Sequence, residues 1–483
     1  MSISDQESIM SLLSDEKSPS LEFSDSQMGI LYDTNNNAYT NAVNFDTLEL
    51  SSKWSQLEYL TIPLQISPTA PAVFSARPNI AFKGSVLSLI SGVQVKTGSG
   101  TTIVDETESS FLTEHIKMML ENDDDWAKSE GIEIQWSKDR GVSGAESRLV
   151  DAARIAPPQT AEHSGATTAT SSALRVDANL GFIERHHALL DATQNSDLGY
   201  TADLSAGVNV VVKIPLKYVS SYFANKNFPD INTRLKITFF LNLSTSSYDY
   251  KPLCFGKVNA TVESGGSCVV KIQQGKPCQL YYREVKFSPS EAKLVADQLR
   301  AGFTKEIHYT HYEINRSNKN IASTASFSHV ITTNSTNPQR VWVLCHPTGV
   351  VDGQTWPNPL VTGSHGLTSA NVKINGSNYF DSDFSTPIEL WEELKRQMPP
   401  SLSGQSRLSQ LTYSDFLKTF RIHCFDLTRS NNRKQDPNAP VTLLMKASPI
   451  SATAIDIIYI VETKKVCKMT FGLSQVKIDT YDV

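Results

Sequence analysis

The 483-residue sequence predicts an all-β protein made of two antiparallel sandwich units in tandem, with a few short helices laid against them. Apolar residues alternate with period two from residue 54 almost to the end. Helical segments are few, short and sharply punctuated. The order of elements in the first half recurs in the second.

In LEYLTIPLQI, Leu60, Ile62, Leu64 and Ile66 share a face. Leu87, Leu89, Val93 and Val95 do so in SVLSLISGVQV, where Gly92 marks a bulge. TRLKITFFLNL is the clearest strand: Leu235, Ile237, Phe239, Leu241 and Leu243 point one way, and Arg234, Lys236, Thr238 and Asn242 the other. RVWVLCH, KTFRIHCFDL, AIDIIYIV and CKMTFGL read as further strands. One apolar and one polar face is the pattern of a sheet with a core on one side and water on the other.

Thr386-Pro387-Ile388-Glu389 supplies an N-cap, a proline at the first helical position and a capping-box glutamate. The stripe of Ile388, Trp391 and Leu394 then runs to a stop before Pro399-Pro400. Ser288-Pro289-Ser290-Glu291 opens a second helix that ends at Gly302, and SFLTEHIKMMLE a third, with Phe111, Leu112, His115, Ile116, Met119 and Leu120 on one broad face. All three are expected on the sheet surfaces.

Strands at 54–95, a helix at about 110–121 and a strand at 233–243 are matched by strands at 279–345, a helix at 387–398, a strand at 417–427 and two apolar strands to 473. The expected organisation is a tail at 1–44, a first unit at 45–260 and a second at 261–483. The first unit carries a Gly/Ser/Thr/Ala-rich insertion at about 123–200, including SGATTATSSA, and the second a long loop from His346 to Tyr379.

Charged residues are only 19% of the chain, and a net charge of −6 gives no general attraction to phosphate or anionic membranes. Up to Ile30 the chain holds six carboxylates and only Lys17, which makes a poor nucleic-acid arm and no secretory signal; it reads as a flexible tail or docking segment. AIDIIYIV is too short to span a membrane. Cys254, Cys268, Cys278, Cys345, Cys424 and Cys467 form no CxxC pair and read as reduced thiols of a cytosolic or nuclear protein.

Motifs for phosphate cradling, serine nucleophiles, zinc hydrolysis and dinucleotide binding are all missing. His308, His311 and Glu313 in KEIHYTHYEI are the best metal candidate, but an odd spacing puts the two histidines on opposite faces of a strand, one packed and one solvated. His186 and His187 diverge on a helix. Asp123, Asp124 and Asp125 lack calcium-loop spacing, and Arg429, Arg433 and Lys434 read as a hydrated hairpin loop. Trp356 in DGQTWPNP could stack on a sugar, though anchoring its own loop is the plainer role. A two-fold β-repeat also brings bicupin metal enzymes to mind, whose sites need His-x-His on a strand; none exists here. The expectation is no catalytic, cofactor-binding or metal-ligating residue and no cofactor.

The stretch VVVKIPLKYVSSYF, residues 210–223, ends a strand at Ile214-Pro215 and turns at once into short helical turns with Leu216, Val219, Tyr222 and Phe223 on one side, fit to cap an open sandwich edge. From Asn232 the chain returns into the long strand at Leu235. With FRIHCFDLTRSNN and AIDIIYIVETKKVCKMTFGLSQVKI near the end, this module resembles the double jelly-roll major capsid proteins of eukaryotic DNA viruses, of the polinton-like virus, adintovirus and virophage type. The resemblance implies two eight-stranded jelly rolls side by side, and a homotrimer forming a pseudo-hexagonal capsomer of an icosahedral virion. It also implies neighbouring capsomers, penton and minor capsid or cement proteins as partners, and no catalysis. Without a basic arm, direct nucleic-acid binding is not expected, and genome charge falls to another protein. A carbohydrate- or receptor-binding β-sandwich is the alternative, and a hydrolase built from scattered carboxylates the weakest reading.

Overall fold

The computed structural model describes residues 23–68, 80–106, 111–139, 180–191, 208–226, 230–231, 233–243, 251–255, 268–302, 304–321, 326–347, 358–362, 365–400, 409–428, 441–449, 455–471 and 476–482. In chain order the first half comprises β1 (Phe23–Tyr32), β2 (Ala42–Asp46), β3 (Trp54–Pro68), β4 (Ile80–Phe82), β5 (Ile90–Thr97) and β6 (Thr102–Glu106). The helices α1 (Phe111–Glu121), α2 (Asp124–Lys128), α3 (Glu130–Glu133) and α4 (Leu180–Asp191) follow. Then come β7 (Val208–Pro215), α5 (Ser221–Ala224), β8 (Leu235–Leu241), β9 (Leu253–Phe255), β10 (Cys268–Ile272) and β11 (Gln279–Phe287).

Helix α6 (Pro289–Ala301) leads to the second half: β12 (Thr304–Ile321), β13 (Phe327–Ile331), β14 (Pro338–Pro347), β15 (Leu367–Ile374), β16 (Ser377–Asn378), α7 (Pro387–Lys395), α8 (Tyr413–Lys418), β17 (His423–Asp426), β18 (Leu443–Pro449), β19 (Ile455–Phe471) and β20 (Val476–Asp482).

The strands form two sandwiches of the same topology. In the first, one sheet places β1 on β11, β10 and β11 on one edge of β3, and β7 on its other edge; the facing sheet runs β2-β8-β5-β6. The second repeats both orders, as β12-β19-β14-β17 and β13-β18-β15-β16, with β20 added beside β19. All paired strands are antiparallel. The helix that follows β6 has its counterpart in α7, which follows β16. This is a double jelly roll, and the tandem order read from the sequence is its repeat.

The alternating faces fall where the pattern puts them. Leu60, Ile62, Leu64 and Ile66 are at most 1% exposed, and Leu235, Ile237, Phe239 and Leu241 are equally buried. A register shift between Ile90 and Gly92 is the bulge expected there. The helix openings hold too: Thr386 and Glu389 make a full capping box on α7, with Pro387 in the first turn. Helix α6 spans the Ser288-Pro289 opening and stops at Gly302, whose φ of 73° is the left-handed conformation that ends a helix cheaply.

Other elements differ from expectation. The tail expected over 1–44 contributes β1 and most of β2, and residues 1–22 lie outside the described residues. β10 and β11, expected in a second unit from 261, pair with β3 in the first sandwich. Leu87 and Leu89 lie in a 3-10 turn over Val86–Leu89, because the Ser85 hydroxyl accepts from Leu87 N and caps it. The strand expected at 417–427 shortens to β17, since Thr412 and Asp415 build a capping box that makes α8 instead. AIDIIYIV and CKMTFGL merge into the single long strand β19. Most of the 123–200 insertion, SGATTATSSA included, lies outside the described residues; residues 123–139, with α2 and α3, and 180–191, with α4, are its described parts.

Candidate functional site: the seam between the two rolls

Helix α1 is expected on a sheet surface but lies between the rolls. Its sequence packs apolar residues at 111, 112, 116, 118, 119 and 120, more than one stripe can hold, and a helix apolar nearly all round is a buried one. Its polar side faces the second roll. There Lys117 Nζ pairs with Glu114 Oε1 at 2.8 Å and sits 5.0 Å from the ring centroid of Tyr312 on β12. Beyond it, buried Glu462 of β19 accepts from Arg340 Nη1 at 2.8 Å and Trp342 Nε1 at 2.9 Å, both on β14. A cleft of about 130 Å³ separates the groups, lined by Thr113, Lys117 and Glu121 on one side and Thr310, Tyr312 and Arg340 on the other.

The stretch at 210–223 forms the second part of the seam. Pro215 ends β7 and starts a 3-10 turn over Leu216–Tyr218, and Ser220 then caps α5. This brings Ser221 against β12, where its hydroxyl donates to Thr310 O and accepts from Thr310 N, both at 2.8 Å. Asn225 Nδ2 donates to His308 O at 2.8 Å. Fully buried Tyr222 meets Tyr309 edge-on at 5.8 Å, and the Tyr309 hydroxyl returns to the first roll by donating to Ile103 O at 2.6 Å. The module does cap an edge, and the edge belongs to the other roll.

A third knot ties the insertion in. Gly181 lets α4 approach the backbone at Lys138, where a Cβ would collide with the Lys138 carbonyl. Arg185 is thereby held fully buried, donating to Phe82 O at 3.1 Å and to Ser137 O, and pairing with Asp139 Oδ1 at 2.7 Å. Asn358, from the second half, donates to Asp139 Oδ2 at 2.8 Å. Gln410 likewise crosses the seam, accepting from Trp136 Nε1 at 3.1 Å and donating to Met118 O at 3.3 Å. Lys138 pairs with Asp415 at 2.7 Å.

Two arrangements here look like chemistry and are structural. Ser85 Oγ and His115 Nε2 stand 2.7 Å apart, as a nucleophile and its base would, but both residues are 0% exposed and the hydroxyl already accepts from Leu87 N. Burial, aided by the Arg185 charge, lowers the His115 pKa to about 3, so the ring is neutral. Glu106, buried on β6, is pushed up to about 8 by burial first and by the Glu114 charge next, so it is protonated at neutral pH.

Of the residues singled out in the sequence, His308 is exposed and His311 buried on opposite faces of β12, and burial lowers the His311 pKa to about 3. Glu313 accepts from Asn334 N at 2.9 Å. His186 Nδ1 lies 2.9 Å from Ile80 O, while the side chain of His187 is outside the described residues. Asp123 caps α2 by accepting from Trp126 N, and Asp125 pairs with Lys128 at 3.7 Å. Arg429, Arg433, Lys434 and Trp356 lie outside the described residues. Among the described residues no three His, Cys, Asp or Glu converge as a metal site would require, and no helix is long and apolar enough to cross a membrane. Cys254, Cys278, Cys345, Cys424 and Cys467 are buried and form no disulfide among the described residues.

The seam therefore joins two jelly rolls through a buried helix, the paired Ser221–Thr310 hydrogen bonds and side-chain bonds from Asn358 and Gln410. No family model and no curated protein sequence matches the chain. Its fold is that of the double jelly-roll viral capsid proteins. A chain in the cryo-electron microscopy structure of the Sputnik virophage is similar with a TM-score of 0.60 at 10% identity, over 97% of this chain and 91% of that one. The major capsid protein of mavirus is similar with a TM-score of 0.55 at 12% identity, over 96% and 92%.

Proposed function

We propose that the chain is the structural major capsid protein of a DNA virus, without catalytic activity. Three copies form a pseudo-hexagonal capsomer, and capsomers tile an icosahedral shell with penton and minor capsid proteins at other positions. The observation that carries this reading is the seam: two sandwiches of the same strand order, held to each other by bonds such as Ser221 to Thr310 and Asn358 to Asp139, make a monomer with two like flanks, and three such monomers give a near-sixfold outline. Similarity to a mavirus capsid protein over nearly the whole chain supports it. The domain division follows the strand pairing, with an N-terminal roll to Phe287, the connector α6, and a C-terminal roll from Thr304. The carbohydrate-binding alternative has no observation in its favour.

Electron microscopy of the purified protein at high concentration tests the reading. Hexagonal capsomers, sheets or closed shells are expected; a field of isolated compact particles that never order would overturn it.

A further inference from the structure

We infer that β1 is an assembly edge, on which a second copy of this chain docks by pairing its own β1 antiparallel to the first across a two-fold axis; the setting, though not the edge itself, rests on the capsid reading above.

β1 pairs with β11 from Phe23↔Phe287 to Tyr32↔Gln279, and among the described residues no strand pairs with its other side. An unpaired edge offers its N–H and C=O groups to any strand that arrives, so sheets normally guard it with charge, proline or a bulge. From Ser26 to Tyr32 this edge has no charged residue and no proline, and its one register shift lies earlier, between Phe23 and Asp25. The outward side chains are apolar: Met28 is 50% exposed, Ile30 41% and Tyr32 55%. Ile30 lies opposite Tyr281, which stacks on Tyr59 at 4.4 Å, so the apolar stripe runs inward across three strands. The strand itself is seated, because Leu31 is buried and Gly29 lies flush on the Tyr282 ring, where no Cβ fits.

The chemistry selects the occupant. An uncharged strand set antiparallel to itself meets no like-charge cost and places outward apolar residues opposite one another. The chain's own residues 1–22 hold Asp5, Glu7, Asp15, Glu16 and Glu22 against Lys17, for which the edge has no counter-charge. Arg283, beside Met28, is already paired with Glu58 at 2.5 Å. A contact seven residues long falls short of the roughly 1,000 Å² of a stable free dimer, so it forms where many copies support it, between capsomers of a lattice.

Sedimentation velocity over a concentration series, with electron microscopy, tests this on the wild type, Ile30→Lys, Met28→Glu and a chain lacking residues 1–22. The wild type and the truncated chain are expected to build species larger than the basal unit, while both edge variants keep the basal mass and melting temperature and lose the larger species. Assembly of both edge variants at wild-type concentration, loss of assembly on truncation, or a wild type that never exceeds its basal unit would overturn the edge. A basal unit other than three chains would count against the capsomer and leave the edge standing.

Discussion

The Ser221 hydroxyl exchanges two 2.8 Å hydrogen bonds with the backbone of Thr310, 89 residues along the chain, so that one side chain completes the ladder of a strand in the other roll. Ser221 is 7% exposed, and water does not replace it readily. Ser221→Ala leaves both Thr310 groups without a partner and is expected to cost about 1–3 kcal/mol. Urea unfolding reads this as a lower midpoint; an unchanged midpoint would show that the exchange contributes nothing to the seam.

Asp139 neutralises Arg185 inside the protein and also accepts from Asn358. Asp139→Ala strands a buried guanidinium, for which about 3–5 kcal/mol of destabilisation is expected. Replacing the pair together, Asp139→Leu with Arg185→Met, is expected to recover most of the loss. A double variant no more stable than the single one would deny that the unpaired charge is the cause.

Glu106 makes the seam weaken as pH rises from acid to neutral. Its folded pKa of about 8 lies above the ordinary 4.5, so between those values the folded state holds a proton that the unfolded chain has released. Stability from this group therefore falls as pH rises, by up to about 1.4 kcal/mol per unit, and the penalty is complete above pH 8. Glu106→Gln is expected to be more stable than wild type at pH 8 and nearly equal to it at pH 4.5. Parallel stability curves for the two proteins across that window would contradict the assignment.

Three buried histidines act in the opposite sense. His115, His311 and His423 are each lowered to about 3 by burial, from an ordinary 6.5. Below 6.5 the unfolded chain takes up protons that the folded protein refuses, so stability is lost as pH falls towards 3, by up to about 1.4 kcal/mol per unit for each ring. His311→Phe is expected to flatten the acid limb in chemical unfolding at pH 5 relative to pH 7. An acid limb of unchanged slope would place the loss elsewhere.

The sheets were legible because each core strand announces itself locally: Leu235 to Leu243 alternates with no help from the rest of the chain. β1 was not, because its pattern is inverted. Met28, Ile30 and Tyr32 face out while Gly29 and Leu31 face in, and an apolar outer face reads as no strand at all. The seam was half visible. The turn at Pro215 and the apolar side of Leu216, Val219 and Tyr222 could be read, but the partner of Ser221 is a backbone unit that any sequence at Thr310 would supply. Glu114 and Lys117 look like a solvated helix face, and only the arrival of Tyr312 buries them. Arg185, Asp139 and Asn358 come from three segments whose meeting no spacing encodes.

The mass of the purified protein in solution tests the central claim most directly. Light scattering coupled to size exclusion is expected to give a stable species of three 53.3 kDa chains. A monomer that persists at that single-chain mass as concentration rises would contradict it.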